Sequence, residues 1–89
     1  TVFLGTLLPQ RRGAWRAFDY SDGVDDIVPA NTQIRQMAGI EAVPVVDLYQ
    51  GFAGAEGTLL GPDGLHPNEA GYQKMADLFY AAIVQRLEQ

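Results

Sequence analysis

The 89-residue chain contains no cysteine, and this absence excludes several kinds of chemistry at once. A disulfide framework, a thiolate zinc site and a cysteine nucleophile all need this residue. Histidine is scarce as well, because His66 is the only one. A single imidazole without cysteine cannot build an ordinary zinc site. We therefore expect neither a metal site nor a bound cofactor.

Positive charge and long apolar runs are also lacking. The chain has six Lys and Arg residues and eleven Asp and Glu residues, which gives a net charge of −5. This balance argues against nucleic acid or an anionic membrane surface as a partner. No stretch approaches the roughly 18 uncharged apolar residues that a membrane-spanning helix needs. With 47% hydrophobic and 19% charged residues, the chain has the composition of one small globular unit.

Two short apolar runs predict β-strands. Residues 2–8 form the first run, which Pro9 closes, and residues 43–48 form the second. Pro44 lacks an N–H, so regular pairing of the second strand should begin near Val45. Between the runs, a helical pattern starts around Pro29 and should stop at Gly39. A strand, a helix and a second strand in this order predict a right-handed parallel βαβ unit.

The remaining segments predict two loops and one long helix. Residues 9–28 and 50–67 are rich in turn residues, and we expect both to be mostly loop. Pro67 then suits the first turn of an amphipathic helix of about five to six turns. Its apolar stripe is predicted to be core, and comprises Tyr72, Met75, Leu78, Phe79, Ala82, Ile83 and Leu87. Two parallel strands leave open sheet edges, so the chain should need a partner.

Asp63 and His66 are the residues best suited to chemistry. Histidine has an unperturbed pKa of about 6.5, which suits proton transfer near neutrality. Asp63 lies three residues earlier, and a turn tightened by Gly64 and ended by Pro67 lets its carboxylate reach the imidazole. Such a carboxylate fixes the tautomer of a catalytic histidine. A simple turn followed by a helix start explains the same spacing without any function.

The residues around this pair resemble a known family. Asp-Gly-Leu-His-Pro-Asn-Glu-Ala-Gly-Tyr, at residues 63–72, closely resembles the last signature block of the SGNH (GDSL) hydrolases. Three further segments resemble the family more loosely. The strand that follows the family's Asn-bearing block is similar to residues 2–9, the helix before its last strand to residues 31–35, and the last strand itself to residues 45–48. The resemblance implies that residues 1–89 are the C-terminal half of one flavodoxin-like αβα three-layer domain, with parallel strands and flanking helices.

The resemblance also implies a function. Members of the family are serine esterases or lipases that act without a metal, on small-molecule, lipid or carbohydrate esters. By this resemblance His66 is the general base and Asp63 its orienting carboxylate. The nucleophilic serine belongs to a Gly-Asp-Ser motif that would precede Thr1, as would the oxyanion donors. Because the chain starts at Thr1 without a Met, we expect a segment of a longer protein, in a secreted or periplasmic location by the same resemblance.

Two alternatives to this function remain open. One is a non-catalytic α/β module derived from such a hydrolase, which self-associates to cover its open sheet edges. The other is an enzyme with an unusual nucleophile inside the chain, for which Ser21 is the first candidate. Thr6 and Thr58 are weaker ones. Ser21 lies in a polar loop that lacks the strand-to-helix turn by which a nucleophile is exposed with N–H donors around it.

Other clusters have more ordinary interpretations. The aspartates of residues 19–26 fail the EF-hand pattern, because Val24 and Ala30 stand where Gly and Glu are required. An anion site is conceivable at Arg11, Arg12 and Arg16, although neighbouring aspartates can compensate these charges. An acyl or aglycone pocket could be lined by Trp15, Phe18 and Tyr20, although aromatic side chains more commonly pack a loop onto a sheet.

Overall fold

The computed structural model describes residues 2–11 and 27–88. In chain order the elements are β1 (Leu4–Gly5), α1 (Ile27–Ile40), β2 (Val45–Val46), α2 (Leu48–Phe52), α3 (Glu56–Leu59) and α4 (Glu69–Leu87). The strands β1 and β2 pair in parallel, with Leu4 opposite Val45 and Gly5 opposite Val46. The predicted parallel βαβ order is therefore confirmed, and pairing of β2 begins at Val45 as Pro44 dictates.

Both strands are shorter than their apolar runs. The ladder of β1 ends because Leu7 bonds to a side chain instead of a strand. Its N–H donates to Asn31 Oδ1 at 2.7 Å, and its carbonyl accepts from Asn31 Nδ2 at 3.1 Å. Asn31 is 2% exposed, so the buried amide provides the two hydrogen bonds that a neighbouring strand would otherwise make.

The second strand ends at a helix cap. The Asp47 carboxylate accepts a hydrogen bond from the N–H of Gln50 at 3.0 Å and so caps α2. Leu48 is therefore the first residue of a helix, and the prediction of strand through residue 48 was wrong. Leu48 is buried nonetheless, because its position directly after β2 turns the side chain into the core.

The end of α1 also differs from the prediction. Gly39 stays helical, and the left-handed residue is Ala42, with φ of 56°. The N–H of Val43 bonds to the carbonyl of Ala38 at 2.8 Å, and the N–H of Ala42 bonds to the carbonyl of Gly39 at 3.3 Å. This pair of bonds is the Schellman motif. The helix thus ends at Ile40, one residue after the glycine, and the left-handed position beyond it is Ala42, which carries a Cβ.

The segment predicted to be mostly loop, residues 50–67, contains the end of α2 and all of α3. These helices have five and four residues, too few to show a helical period in the sequence. Phe52, which is fully buried, anchors α2 in the core. Gly51 permits the approach of α4, since a Cβ there would lie 2.6 Å from Leu78 Cδ1.

The last helix, α4, has 19 residues and confirms the predicted length of five to six turns. Its N-cap is Asn68, so Pro67 precedes the helix instead of lying in its first turn. It packs against β2, α2 and α3. No helix in the described part of the chain is long and apolar enough to cross a membrane.

The prediction that the whole apolar stripe of α4 is core was wrong. Tyr72, Ile83 and Leu87 are exposed, at 57%, 41% and 79%. A two-stranded sheet is too narrow to cover a helix of this length on its full apolar face. The buried hydrophobic residues of the described chain are instead Ala38, Val46, Leu48, Phe52 and Leu60.

Candidate functional site

The candidate site lies on a closed loop between α3 and α4. Leu60 and Pro67 form an isolated antiparallel bridge, and the N–H of Gly61 donates to the carbonyl of His66 at 2.8 Å. Inside this loop the N–H of Gly64 bonds back to the carbonyl of Gly61 at 3.0 Å. Gly64 is buried and has φ of 74°, a left-handed conformation that a side chain disfavours. The loop that presents Asp63 and His66 is therefore shaped by backbone bonds.

Asp63 and His66 are in direct contact, which is the geometry that their spacing predicts. Oδ2 of Asp63 lies 2.5 Å from Nδ1 of His66. The other carboxylate oxygen, Oδ1, accepts from the N–H groups of Leu65 and His66, both at 3.0 Å. The side chain of Asp63 is 14% exposed and that of His66 is 66% exposed. The carboxylate is thus enclosed by its own turn, while the imidazole faces outward.

The hydrogen bonds to Asp63 also determine its charge. The hydrogen bond from His66 lowers the pKa of the Asp63 carboxyl most, and the N–H groups of Leu65 and His66 lower this pKa further. All three favour the ionised form because a carboxylate accepts stronger hydrogen bonds than a carboxylic acid does. Asp63 is therefore an anion over the whole physiological pH range.

Arg11 reaches this loop from the segment after β1. Its Nη2 donates to the carbonyls of Pro62 at 3.1 Å and Gly61 at 3.5 Å. Its backbone N–H donates to the carbonyl of Gly64 at 3.0 Å. The sequence pattern indicates anion binding or charge compensation for Arg11 and does not reveal this contact. A basic residue 50 positions before a loop carries no local signal of such a contact.

Asn68 and Gly71 fix the start of α4 next to the site. Oδ1 of Asn68 caps the helix by accepting from the N–H of Gly71 at 2.8 Å. Its Nδ2 donates to the carbonyl of Thr58 at 2.8 Å. A Cβ on Gly71 would lie 2.1 Å from the carbonyl oxygen of Leu59. Both residues belong to the block at residues 63–72, and in the structure both fix the position of the start of α4.

The other candidate residues are placed differently. Thr6 is buried, and its hydroxyl accepts from the N–H of Tyr49 at 2.9 Å and donates to Asp47 at 3.4 Å. This hydroxyl therefore joins β1 to α2. Thr58 is exposed in α3. Among the described residues, no group of three or more His, Asp or Glu side chains could hold a metal ion.

Several candidates lie outside the described residues. They are the nucleophile candidate Ser21, the basic residues Arg12 and Arg16, the aromatic residues Trp15, Phe18 and Tyr20, and the acidic residues Asp19, Asp22, Asp25 and Asp26. The EF-hand comparison and the aromatic pocket are therefore interpretations of the sequence alone.

Solved structures define the class of the fold. The esterase domain of a zebrafish retrotransposon ORF1 protein superposes with a TM-score of 0.73 at 18% identity, which establishes the fold alone. An acylhydrolase-type protein of Bacteroides fragilis gives a TM-score of 0.65 at 29% identity. A GDSL-like lipase of Bacteroides thetaiotaomicron gives 0.64 at 28% identity. The chain is covered to 94–96% in these comparisons and spans 42–46% of the solved chains. It therefore has the α/β fold of the acylhydrolases, with parallel strands and flanking helices, as predicted.

The family follows from sequence comparison. The chain belongs to the GDSL-like lipase/acylhydrolase family, whose model matches residues 4–79. An acetylxylan esterase of Xylanibacter ruminicola is 30% identical over 82 residues, covering 92% of this chain. The spore germination lipase LipC of Bacillus licheniformis is 34% identical over 58 residues, or 65% of this chain. The matches span only 16% and 27% of these two relatives' own lengths.

Proposed function

We propose that this chain is the histidine- and aspartate-bearing part of a GDSL-type serine esterase or lipase. The contact between Asp63 and His66, held on a closed loop before α4, is the observation that carries the proposal. Family membership supports ester hydrolysis as the reaction type. In this proposal residues 1–89 form the C-terminal half of one hydrolase domain.

The hydrogen bonds support the role that we propose for each residue of the pair. An ionised carboxylate can only accept hydrogen bonds, so the proton of the neutral imidazole resides on Nδ1 of His66, facing Asp63. The lone pair is then on Nε2, which is the basic nitrogen. Since 66% of the His66 side chain is exposed, Nε2 is accessible to a nucleophile brought by another segment.

The proposed reaction follows from these roles. Nε2 of His66 takes the proton of a serine hydroxyl as the serine oxygen attacks the ester carbonyl carbon. The imidazolium that forms is stabilised by Asp63, which stays ionised, and it returns the proton to the leaving alcohol. Water then hydrolyses the acyl-enzyme with the same proton transfers. The serine and the oxyanion donors are contributed by a part of the hydrolase domain outside these 89 residues.

The substrate class is proposed from the relatives. Two of them are named an acetylxylan esterase and a lipase, which both cleave carboxylic esters of alcohols. A short acyl ester such as p-nitrophenyl acetate is therefore the first substrate to test. A lipid or carbohydrate ester is the natural class that we propose.

Substitution of the pair tests the proposal in the complete enzyme. We expect His66→Ala to lower kcat by a factor of about 10³–10⁶, because the general base is lost. Asp63→Asn should lower kcat less, because His66 remains but its tautomer is no longer fixed. Asp77→Asn is the matched control, since Asp77 is an exposed carboxylate on α4 that bonds to Gln73.

The outcomes separate the proposal from its alternatives. Wild-type turnover in His66→Ala would remove His66 from the mechanism. If the chain is a self-associating module without catalysis, even the complete protein should show no ester turnover that is sensitive to a serine-reactive phosphonate. A nucleophile within the chain predicts phosphonate-sensitive turnover by the pure 89-residue chain, abolished in Ser21→Ala.

A further inference from the structure

Three carbonyl groups of the closed loop between α3 and α4 accept hydrogen bonds from one residue. Arg11 donates from Nη2 to the carbonyls of Gly61 and Pro62, and from its backbone N–H to the carbonyl of Gly64. Pro62 and Gly64 are the immediate neighbours of Asp63 in the chain. Arg11 therefore holds the backbone on both sides of the carboxylate that binds His66.

The approach of Arg11 to this loop is accommodated by α3. A Cβ added to the exposed Gly57 would lie 4.0 Å from Cδ of Arg11, so the aliphatic stem passes beside α3 with room for a small side chain at this position. The stem passes this helix, and the guanidinium reaches the carbonyls of Gly61 and Pro62. A planar guanidinium is suited to such a position because its fixed N–H groups can contact two neighbouring carbonyls.

The geometry points to Arg11 as the positioning residue of the Asp63–His66 pair, an inference that rests on the proposed function. The backbone at residues 62 and 64 determines where the Asp63 carboxylate lies. The Asp63 carboxylate in turn determines the orientation of the imidazole through the 2.5 Å contact with Nδ1. Loss of the guanidinium frees the carbonyls of Gly61 and Pro62, which precede Asp63, while the main-chain bond from Arg11 to Gly64 remains. The imidazole is then held less firmly toward the nucleophile. In this inference Arg11 acts on the loop backbone and not on the substrate or the reacting atoms.

Substitution of Arg11 in the complete enzyme tests this inference. Arg11→Met keeps much of the apolar stem and removes the guanidinium. We expect kcat to fall about ten- to a hundredfold, because a small misplacement of a catalytic group has an effect of this size. KM should stay within about twofold, because substrate contacts are unchanged. Arg11→Lys keeps the charge and one donor group on a shorter reach, so its kcat should lie between those of Arg11→Met and wild type.

A spectroscopic readout separates positioning from stability. The Nδ1 proton of His66, held by Asp63, should give a strongly downfield ¹H resonance in the wild-type protein. Arg11→Met should broaden or shift this resonance toward that of a solvent-exposed imidazole. Arg35→Met is the matched control, because Arg35 makes an exposed ion pair with Asp47 at 2.9 Å and should leave both the resonance and kcat unchanged.

The results for His66→Ala and Arg11→Met together distinguish the inference about Arg11 from the proposed function. If His66→Ala abolishes turnover while Arg11→Met keeps wild-type kcat and the wild-type resonance, the inference about Arg11 fails and the proposed function stands. If His66→Ala retains full turnover, the proposed function fails first. Should Arg11→Met not fold, Arg11→Lys decides alone, and an unchanged kcat in that variant overturns the inference.

Discussion

At the scale of single residues, Asp63 is the group whose environment determines the chemistry of the site. Its ionised form is favoured by one hydrogen bond from an imidazole and two from backbone N–H groups. The spacing in the sequence predicted the imidazole contact. It did not predict the two backbone bonds, because these need the turn that Gly64 makes with its positive φ.

The ionisation of Asp63 should depend on His66 in a measurable way. We predict that the Asp63 side-chain carbon titrates in NMR spectra well below its ordinary pKa of 3.8. In His66→Ala the pKa should move back toward that value, because the hydrogen bond with the largest effect is removed. The two backbone bonds should still keep it below 3.8. An unchanged pKa in His66→Ala would contradict the contact seen here.

The same pKa shift predicts a pH dependence of stability. Because the folded-state pKa is lowered, the ionised carboxylate stabilises the fold fully above the unfolded pKa. This contribution is lost as the pH falls through the folded pKa. The stability difference between wild type and Asp63→Asn should therefore be largest above about pH 4–5 and shrink at lower pH. Thermal unfolding at several pH values measures it, with Asp77→Asn as the control that shows little such dependence.

Gly71 is a second residue whose identity the packing requires. A Cβ there would lie 2.1 Å from the carbonyl oxygen of Leu59 and 2.9 Å from Cβ of Pro67. We predict that Gly71→Ala lowers the free energy of unfolding by about 1–3 kcal/mol, as overpacking does. Gly39→Ala is the control, because no atom lies within 4 Å of the new Cβ. Denaturant unfolding measures both, and equal stability of wild type and Gly71→Ala would contradict the close approach.

At the scale of elements, the end of α1 shows how sequence and structure can differ. The glycine predicted to end the helix is Gly39, but the left-handed position is Ala42. The helix must end where the chain turns toward the next strand. The N–H of Val43, two residues before β2, already bonds to the carbonyl of Ala38 and so closes the helix. The chain therefore places an alanine where glycine is conformationally preferred and a glycine inside the helix.

This arrangement predicts two stabilising substitutions. Ala42→Gly should raise the free energy of unfolding by about 1 kcal/mol, because it relieves the left-handed strain. Gly39→Ala should raise it by about 0.5–1 kcal/mol, because the helix interior prefers alanine. Ala81→Gly, in the interior of α4, is the matched control and should destabilise by about 1 kcal/mol. Denaturant unfolding that gives Ala42→Gly and Ala81→Gly the same sign would contradict the Schellman geometry.

At the scale of the whole molecule, several large apolar side chains of the described residues are exposed to solvent. Tyr80 and Leu87 on α4 are 71% and 79% exposed, and Ile40 at the end of α1 is 83% exposed. The chain spans less than half of the solved acylhydrolase chains. These residues are therefore candidates for contact with the rest of such a domain or with a second copy.

This surface can be tested by association. We predict that the 89-residue chain forms complexes in sedimentation velocity, either with itself or with a nucleophile-bearing half supplied separately. Tyr80→Glu should weaken association, because a charge is placed on an apolar contact. Gln85→Glu adds the same charge at an exposed polar position of α4 and should leave association unchanged. Monomeric wild-type chain in both experiments would contradict the prediction.

The sequence by itself determined the fold class, the parallel pairing and the Asp63–His66 pair. Each of these depends on local information: β-branched runs, a helical period, and two residues three positions apart in a glycine-containing turn. Residues 63–72 carry enough local information to indicate the family as well.

Only the tertiary structure decided where the elements end and what holds the site. Asn31 replaces a strand partner for Leu7, Asp47 turns the second apolar run into a helix, and Arg11 holds the loop around Asp63. The contacts of Asn31 and Arg11 join residues far apart in the chain. The cap at Asp47 is local, but its position depends on where β2 ends. The exposure of α4 is decided in the same way, because burial depends on how much sheet lies beneath a helix.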